Sequence, residues 1–425
     1  MISKIKKKAK EILLWSQKYT KTDMIYLARG GFWLTLGQAI SSISSFLLAI
    51  AFANLLPKET YGTYKYILSI ASILAIPTLS GMGTAVTQAV ARGYEGSLIP
   101  ALKTKIRWGL LGGLASLILA GYYFYQGNTI LTISFLISAV FLPFMDSFRI
   151  YDALLIGRKL FDISTKYFII SQIIAIASLI AVLFFTKNLF LLLFTYFTSW
   201  TLMRFIFFKA TLKNFPPNQN QDPQTISYGK HLSLTGIIST IASYLDRLLI
   251  FHYLGAVEVA IYSIAIAPPE QIKSFLGILD NLVFPKFSEK NIDEIKSGIR
   301  DKFMKLVFLG VLIIGGYILI APFLYKIFFP KYSESVFYSQ LFALSMLNLP
   351  FFLFGATLKA KAKIKEQYIA NFIMPFLQIG LMILFIIWQG ILGLIIARII
   401  IRLVAGFLNL VLYRQAFYIR KNDSC

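Results

Sequence analysis

The chain has 425 residues, of which 57% are hydrophobic and 14% are charged, and its formal net charge is +23. Water-soluble domains carry about a quarter charged residues, so this composition excludes an ordinary soluble protein. A single cysteine, Cys425, and two histidines exclude an intramolecular disulfide and a thiolate or histidine-rich metal site, and we expect neither a metal nor a cofactor.

The first 24 residues are rich in lysine and contain only a short apolar patch. A cleavable signal peptide needs a longer apolar run behind its basic residues, so we predict none. We interpret residues 1–24 as a basic cytoplasmic segment. It could be solvated, or it could lie on the membrane surface as a short amphipathic helix.

Apolar runs long enough to cross a bilayer recur from residue 25 to residue 413. A transmembrane helix needs about 20 apolar residues, and backbone in lipid must satisfy its own hydrogen bonds. The sequence therefore predicts an all-α membrane protein with about 12 transmembrane helices. The predicted spans are 25–55, 61–91, 106–125, 129–150, 165–186, 189–212, 230–254, 258–285, 302–323, 335–358, 367–388 and 390–413.

A weak internal repeat relates the two halves of the chain. Residues 55–64 (LLPKETYGTY) resemble residues 253–262 (YLGAVEVAIY), and the two segments follow predicted spans 1 and 7. This predicts two parallel, pseudo-symmetric six-helix bundles that enclose a central cavity. The predicted units are an N-terminal bundle at 25–212, a cytoplasmic linker at 213–229, a C-terminal bundle at 230–413 and a cytoplasmic tail at 414–425.

The basic residues alternate from loop to loop. With the N-terminus in the cytoplasm, 33 Lys and Arg fall in inner segments and 6 in outer segments. Lys65 is counted among the outer residues and Arg204 among the inner ones. This bias predicts both termini in the cytoplasm and a multi-pass protein of the cytoplasmic (inner) membrane. It also accounts for the net charge without nucleic acid as a partner.

Predicted span 8 carries three charges within the membrane. Glu270, Lys273 and Asp280 share one helix face, and Glu270 and Lys273 at i and i+3 could pair. Pro268 and Pro269, just before this face, predict a kink or a break. Each charge in lipid costs about 2.5–3.5 kcal/mol, so the face must meet a polar cavity or pair inside a bundle.

Spans 1, 4, 7 and 12 carry further charges. Asp246 and Arg247 are adjacent in span 7 and point about 100° apart, so they serve either as an anchor or as substrate and ion contacts. Arg398 and Arg402 share a face of span 12 with Ala405 and Asn409, and arginine suits phosphate. Arg29 lies at the inner end of span 1, where it either sets topology or meets substrate. Asp146 and Arg149 in span 4 are interpreted as a structural pair.

Two segments carry a family resemblance. Residues 27–66 read LARGGFWLTLGQAISSISSFLLAIAFANLLPKETYGTYKY, and residues 244–265 read YLDRLLIFHYLGAVEVAIYSIA. They resemble the first hairpin and the seventh-to-eighth span junction of the polysaccharide-export flippases (Wzx-type O-antigen translocases), which share the multidrug/oligosaccharidyl-lipid/polysaccharide exporter fold. The resemblance implies a V-shaped cavity lined mainly by spans 1, 2, 7 and 8, and transport by alternating access.

The resemblance implies a flippase for a polyprenyl (undecaprenyl) diphosphate-linked oligosaccharide, which works as a monomer among membrane lipids. Coupling to H⁺ or Na⁺ is expected. No nucleotide-binding loop, GxSxG or HExxH motif occurs, so we expect no enzyme. The alternatives are a multidrug exporter, a membrane glycan polymerase or ligase, and a structural role. The predicted substrate-binding residues are Arg29, Arg247, Lys273, Arg398 and Arg402, and the predicted coupling residues are Asp246, Glu270 and Asp280.

Overall fold

The computed structural model describes residues 24–277, 287 and 291–419. Those residues form helices joined by short connections, and no β-strand occurs among them. Many large apolar side chains face outward, as expected where lipid rather than water surrounds the helices. The prediction of an all-α membrane protein is confirmed.

The N-terminal half comprises eight of the described helices and spans residues 24–214. The helices are α1 Met24–Leu55, α2 Lys58–Leu74, α3 Met82–Ala91, α4 Leu98–Tyr125, α5 Thr129–Met145, α6 Tyr151–Gly157, α7 Phe161–Phe185 and α8 Leu189–Asn214. Helix α1 packs on α7, and α4, α5 and α8 pack in sequence.

The C-terminal half spans residues 225–419. Its described helices are α9 Thr225–Thr235, α10 Ile237–Tyr253, α11 Ala256–Leu276, α12 Ile292–Phe328, α13 Ser335–Ala343, α14 Phe352–Ala360 and α15 Ile364–Arg414. A 3-10 segment, Leu344–Phe351, joins α13 to α14. Helix α15 is interrupted where Gln389 and Gly390 leave the helical conformation, and Gly390 has a φ of 57°.

Eight described helices are long and apolar enough to cross a membrane, or up to ten if each of two bent pairs is one span. The first pair, α2 and α3, bends by 44°, and the second, α9 and α10, bends by 40°. The predicted total of about twelve spans therefore stays a prediction.

Helix α11 continues through Pro268 and Pro269, whose buried rings lie inside the helix, so the predicted break does not occur there. The charged residues from Ile292 onward, ahead of predicted span 9, form the first turns of α12, which is 37 residues long.

The two halves meet at the predicted outer end. Lys58 of α2 forms an ion pair with Glu334, and Lys331 donates a hydrogen bond of 2.5 Å to the carbonyl oxygen of Asn54. The rings of Tyr66 and Phe251 stack with their centroids 3.7 Å apart. These contacts join α1 and α2 to the C-terminal half, so the predicted outer end is closed.

The helices cross closely because small residues stand at the crossings. A Cβ on Gly62 would lie 1.7 Å from the carbonyl oxygen of Ala256. A Cβ on Gly81 would lie 2.7 Å from the backbone nitrogen of Ser233, where α9 packs against α3. Only glycine permits these backbones to approach so closely.

The connection between the halves, residues 215–224, is held against the N-terminal half. Arg158 donates two hydrogen bonds, of 2.7 and 2.6 Å, to the carboxylate of Glu95 and a third to the carbonyl oxygen of Pro216. The backbone nitrogen of Gly96 donates to the carbonyl oxygen of Asn220, and Arg92 pairs with Asp222. Helix α8 ends at Asn214 and α9 begins at Thr225, so this connection is shorter than the predicted linker.

Candidate functional site

Four of the predicted site residues meet inside the C-terminal half and form what we call the ionic cluster. Asp246 of α10 is fully buried and accepts a hydrogen bond of 2.7 Å from Arg398 of α15. The hydroxyl of Tyr262 donates to the same carboxylate at 2.7 Å. Glu270 of α11 pairs with Arg398 at 3.3 Å and also with Arg402.

The ionic cluster is neutral, because two carboxylates face two guanidinium groups. Arg402 also donates to the hydroxyl of Ser345 at 2.6 Å, so its second nitrogen is satisfied within the protein. Charges buried in this way are tolerated because they are paired and hydrogen-bonded. In this structure Arg398 and Arg402 bind the carboxylates of Asp246 and Glu270. Their predicted contacts with substrate stay predictions.

The predicted pair between Glu270 and Lys273 is wrong. Glu270 takes the two arginines of α15 as its partners, and Lys273 lies exposed one turn further along α11. Spacing along the sequence predicted a partner for Glu270 on its own helix, whereas the fold brings Arg398 and Arg402 of α15 to it. Asp280 lies outside the described residues. Arg29 lies on α1, which places its backbone near the predicted inner end.

Arg247 lies on the side of α10 that faces the N-terminal half. Its guanidinium is 4.0 Å from Asp246, at the limit of an ion pair, while Asp246 holds Arg398 much more closely. Arg247 is near enough to Lys65 of α2 for the two cations to repel each other. Its Nε is buried and has no hydrogen-bond partner within the described part of the chain. Lys65 and Arg247 therefore face each other between the halves, and the carboxylate that Arg247 approaches is shared with Arg398.

The N-terminal half encloses a cavity of about 450 Å³, which we call the basic cavity. Three cations line it: Lys65 of α2, Arg149 just before α6, and Arg204 of α8. The hydroxyls of Ser41 and Ser45 on α1 also line it. Arg149 is exposed to this space. The cavity therefore presents cations and hydrogen-bonding groups to whatever enters it.

Two smaller cavities, of about 280 and 390 Å³, adjoin the basic cavity through shared lining residues. Asp146 lines both smaller cavities and pairs with Arg204 at 3.2 Å. Buried Lys105 and Asp152 line the larger of these two. Across the three cavities, four lysines and arginines oppose two aspartates, which leaves a net charge of +2. Unlike the ionic cluster, this region keeps an excess of positive charge.

The sequence-based reading missed the basic cavity for identifiable reasons. Lys65 was counted with the outer residues although it lies within predicted span 2, and α2, which begins at Lys58, carries it into the bundle. Asp146 was assigned to Arg149, but its ion pair is with Arg204. A usable signal was present in span 6, where Tyr196, Trp200 and Arg204 follow one helix face at intervals of four and all line the cavity.

No group of three or more His, Cys, Asp or Glu side chains suited to a metal ion occurs within the described residues. The cavities are lined by charged side chains and hydroxyls, which form ion pairs and hydrogen bonds. Such groups can bind and release an anionic or polar molecule.

Comparison with known proteins gives a family match and a more distant relative. A family model described as polysaccharide biosynthesis protein matches residues 27–291. An uncharacterized membrane protein in cps region from Klebsiella pneumoniae is 26% identical over 297 residues, or 65% of this chain. The match covers 60% of that relative, so the chain spans about three fifths of its length.

Solved structures share the fold over most of the chain. The lipid II flippase MurJ in an inward closed conformation has a TM-score of 0.68 at 15% identity and covers 88% of this chain and 86% of its own. An inward-facing multidrug resistance MATE family transporter of the MOP superfamily has a TM-score of 0.66 at 13% identity and covers 91% and 96%. At such identities the likeness concerns the fold alone.

Proposed function

The chain belongs to the polysaccharide biosynthesis protein family, and we propose that it is a flippase, not an enzyme. Its cargo is a polyprenyl (undecaprenyl) diphosphate-linked oligosaccharide, which it moves from the inner to the outer leaflet of the cytoplasmic membrane. Similarity of fold to a lipid II flippase supports this proposal. The lipid tail stays in the bilayer while the headgroup crosses through the protein.

The observation that carries the proposal is the excess positive charge of the basic cavity. Lys65 and Arg149 have no carboxylate within 4.0 Å among the described residues. An unpaired cation within a membrane protein is costly unless it faces water or an anionic partner. A diphosphate supplies such a partner, and guanidinium groups bind phosphate oxygens in a bidentate fashion. The same net charge disfavours a cationic drug as cargo.

In this proposal the closed outer end defines the starting state. The headgroup enters from the predicted inner end and meets the basic cavity, with Arg29 at the mouth and Lys273 and Arg247 as further contacts between the halves. The outer end then opens when Lys58 and Glu334 separate, and the inner end closes. Alternation between two such states moves the headgroup without a continuous pore.

The ionic cluster is the proposed site of coupling to H⁺ or Na⁺. Protonation of Glu270 removes the carboxylate partner of Arg402, and a cation bound at Asp246 competes with Arg398. Either event frees a guanidinium group for the anionic cargo. Asp280 stays a proposed third coupling residue.

A flipping assay with the purified chain tests the proposal. The chain is placed in vesicles with a fluorescent polyprenyl diphosphate-linked oligosaccharide, and an impermeant quencher reports the labelled lipid in the outer leaflet. Replacing Arg149 by Gln removes a charge-assisted contact with the diphosphate, so flipping should slow about tenfold or more. Lys187→Gln, in an exposed loop, is the matched control and should flip at the wild-type rate.

Wild-type rates in Lys65→Gln, Arg149→Gln and Arg204→Gln together would show that the basic cavity does not hold the headgroup. A wild-type chain that leaves the lipid in place but exports a cationic dye would support the multidrug alternative instead.

A further inference from the structure

The C-terminal half contains a cavity of about 450 Å³ whose chemistry differs from that of the basic cavity. It lies among α10, the segment from 348 to 359, and both parts of α15. We call it the amide pocket, because carboxamides form most of its polar lining. The carboxamide side chains are those of Asn348, Gln367, Asn371, Gln378 and Asn409.

The amide pocket is almost uncharged. Lys359 is the one ionisable side chain among the described residues that line it. The hydroxyls of Ser239 and Ser243 add to its polar surface, and the rings of Phe351 and Phe352 supply an apolar wall. A fully ionised ligand would find little charge compensation here. A neutral ligand with many hydrogen-bonding groups would match the lining.

Carboxamides suit ligands that carry hydroxyl groups, because each side chain both donates and accepts hydrogen bonds and a hydroxyl does the same. The side-chain amides of Asn371 and Asn409 make no hydrogen bond of 3.5 Å or less to the described part of the chain, so they are available to a ligand. Gln378 donates to the carbonyl oxygen of Ala242 at 2.7 Å, which fixes the amide and leaves its oxygen to accept. The ligand class that combines many hydroxyls with no charge is a sugar.

The pocket lies one helix away from the cavities of the N-terminal half. On α10, Thr240 and Tyr244 line the cavity of about 280 Å³ that adjoins the basic cavity. Ser239 and Ser243 on the same helix line the amide pocket. A helix with its side chains is about 10–12 Å across, so the two spaces flank a single element. On α15, Asn409 lies two turns beyond Arg402, so the pocket also adjoins the ionic cluster.

We propose that the amide pocket is a sugar-binding subsite, which holds the oligosaccharide while the basic cavity holds the diphosphate. This assignment rests on the proposed function. It divides recognition of one cargo between the halves: charge in the N-terminal half sets affinity for the carrier, and amides in the C-terminal half select the glycan. Selection by hydrogen-bonding groups that the ligand covers is strong, because a ligand without the matching hydroxyls leaves them unpaired.

The test compares two probes on the full chain in detergent. One is undecaprenyl diphosphate, and the other is the same carrier with its oligosaccharide, purified from cells that express the gene. Binding is measured as quenching of tryptophan fluorescence. The wild-type chain should bind the glycan-bearing lipid more tightly. Asn371→Leu and Asn409→Leu should each reduce that preference about 5-fold, which is the loss of one hydrogen bond, and leave binding of the bare carrier unchanged.

Gln126→Leu is the matched control, since it removes an exposed amide that donates to Tyr122 at the predicted outer end, and it should keep the full preference. Ser243→Ala is a milder change that serves if a leucine variant fails to fold, and it should also reduce the preference. Unchanged preference in all three pocket variants would overturn the sugar subsite. A wild-type chain that binds neither lipid would instead overturn the proposed function.

Discussion

The two halves of the chain share a helical architecture but treat their charges differently. In the C-terminal half, Asp246, Glu270, Arg398 and Arg402 neutralise one another and leave the nearby pocket to amides. In the N-terminal half, Lys65 and Arg149 line an open cavity, and neither has a carboxylate within 4.0 Å among the described residues. Charge within a membrane domain therefore does not by itself identify a ligand site. A charge whose counter-charge lies within the protein stabilises the fold, whereas a charge without such a partner is available to a ligand.

The largest effect is expected when the ionic cluster loses one of its charges. Arg398→Met leaves the buried Asp246 carboxylate without its guanidinium partner, so the free energy of unfolding should fall by about 3–5 kcal/mol. Thermal and denaturant unfolding of the protein in detergent would measure the loss. Arg149→Met, an exposed cation of the basic cavity, should change stability by less than about 0.5 kcal/mol.

Restoring neutrality provides the companion experiment. The double variant Asp246→Asn, Arg398→Met removes both charges and should recover much of the stability lost by Arg398→Met alone. If the single and double variants unfold alike, the cluster does not act as a coupled set of charges.

A smaller effect is expected where the halves approach most closely. A methyl group at Gly62 would meet the carbonyl oxygen of Ala256, so Gly62→Ala should cost about 1–3 kcal/mol in the closed outer end and shift the chain toward an open one. Spin labels at residues 126 and 326, one in each half, would report a longer distance than in the parent. Gly121→Ala, where an added Cβ meets nothing within 4 Å, should leave the distance unchanged.

The smallest effect concerns pH at the outer end. Partial burial raises the pKa of Glu334, but the hydrogen bonds from Lys58, from its own backbone and from Ser333, together with the charge of Lys58, outweigh it, so that pKa lies below its usual value of 4.5. The pair therefore stabilises the closed end at neutral pH, and its contribution is lost as pH falls through the lowered pKa. Such a partly exposed pair contributes about 0.2–1 kcal/mol.

The measurement is the distance between the same spin labels as the pH is lowered from about 7 to about 3, a range that spans the carboxylate pKa values. The open population should grow several-fold at the acid end, and Glu334→Gln should show that larger population at every pH. A pH response that survives in Glu334→Gln would assign the titration to another group.

The sequence predicted the fold class well, because hydropathy and loop charge depend on residue type and little on packing. It also placed Arg398, Arg402 and Asn409 on one face of the last helix. In the structure Arg398 and Arg402 belong to the ionic cluster, and Asn409 lines the amide pocket. Partners were harder to predict. Glu270 was assigned to Lys273 and Asp146 to Arg149, because spacing along one helix is visible in a sequence and the approach of a second helix is not.

The docked connection of residues 215–224 has a mechanical consequence. Because Glu95, Ser97 and Arg92 hold it along its length, it offers no slack when one half turns against the other. We expect rotation of one half against the other to occur at two bends that this connection does not hold. One bend lies around Leu79, where φ is 59°, and the other lies around Gly236. Cleavage of the chain within residues 215–224 should therefore let the two halves turn more freely against each other. The helices of both halves would remain intact.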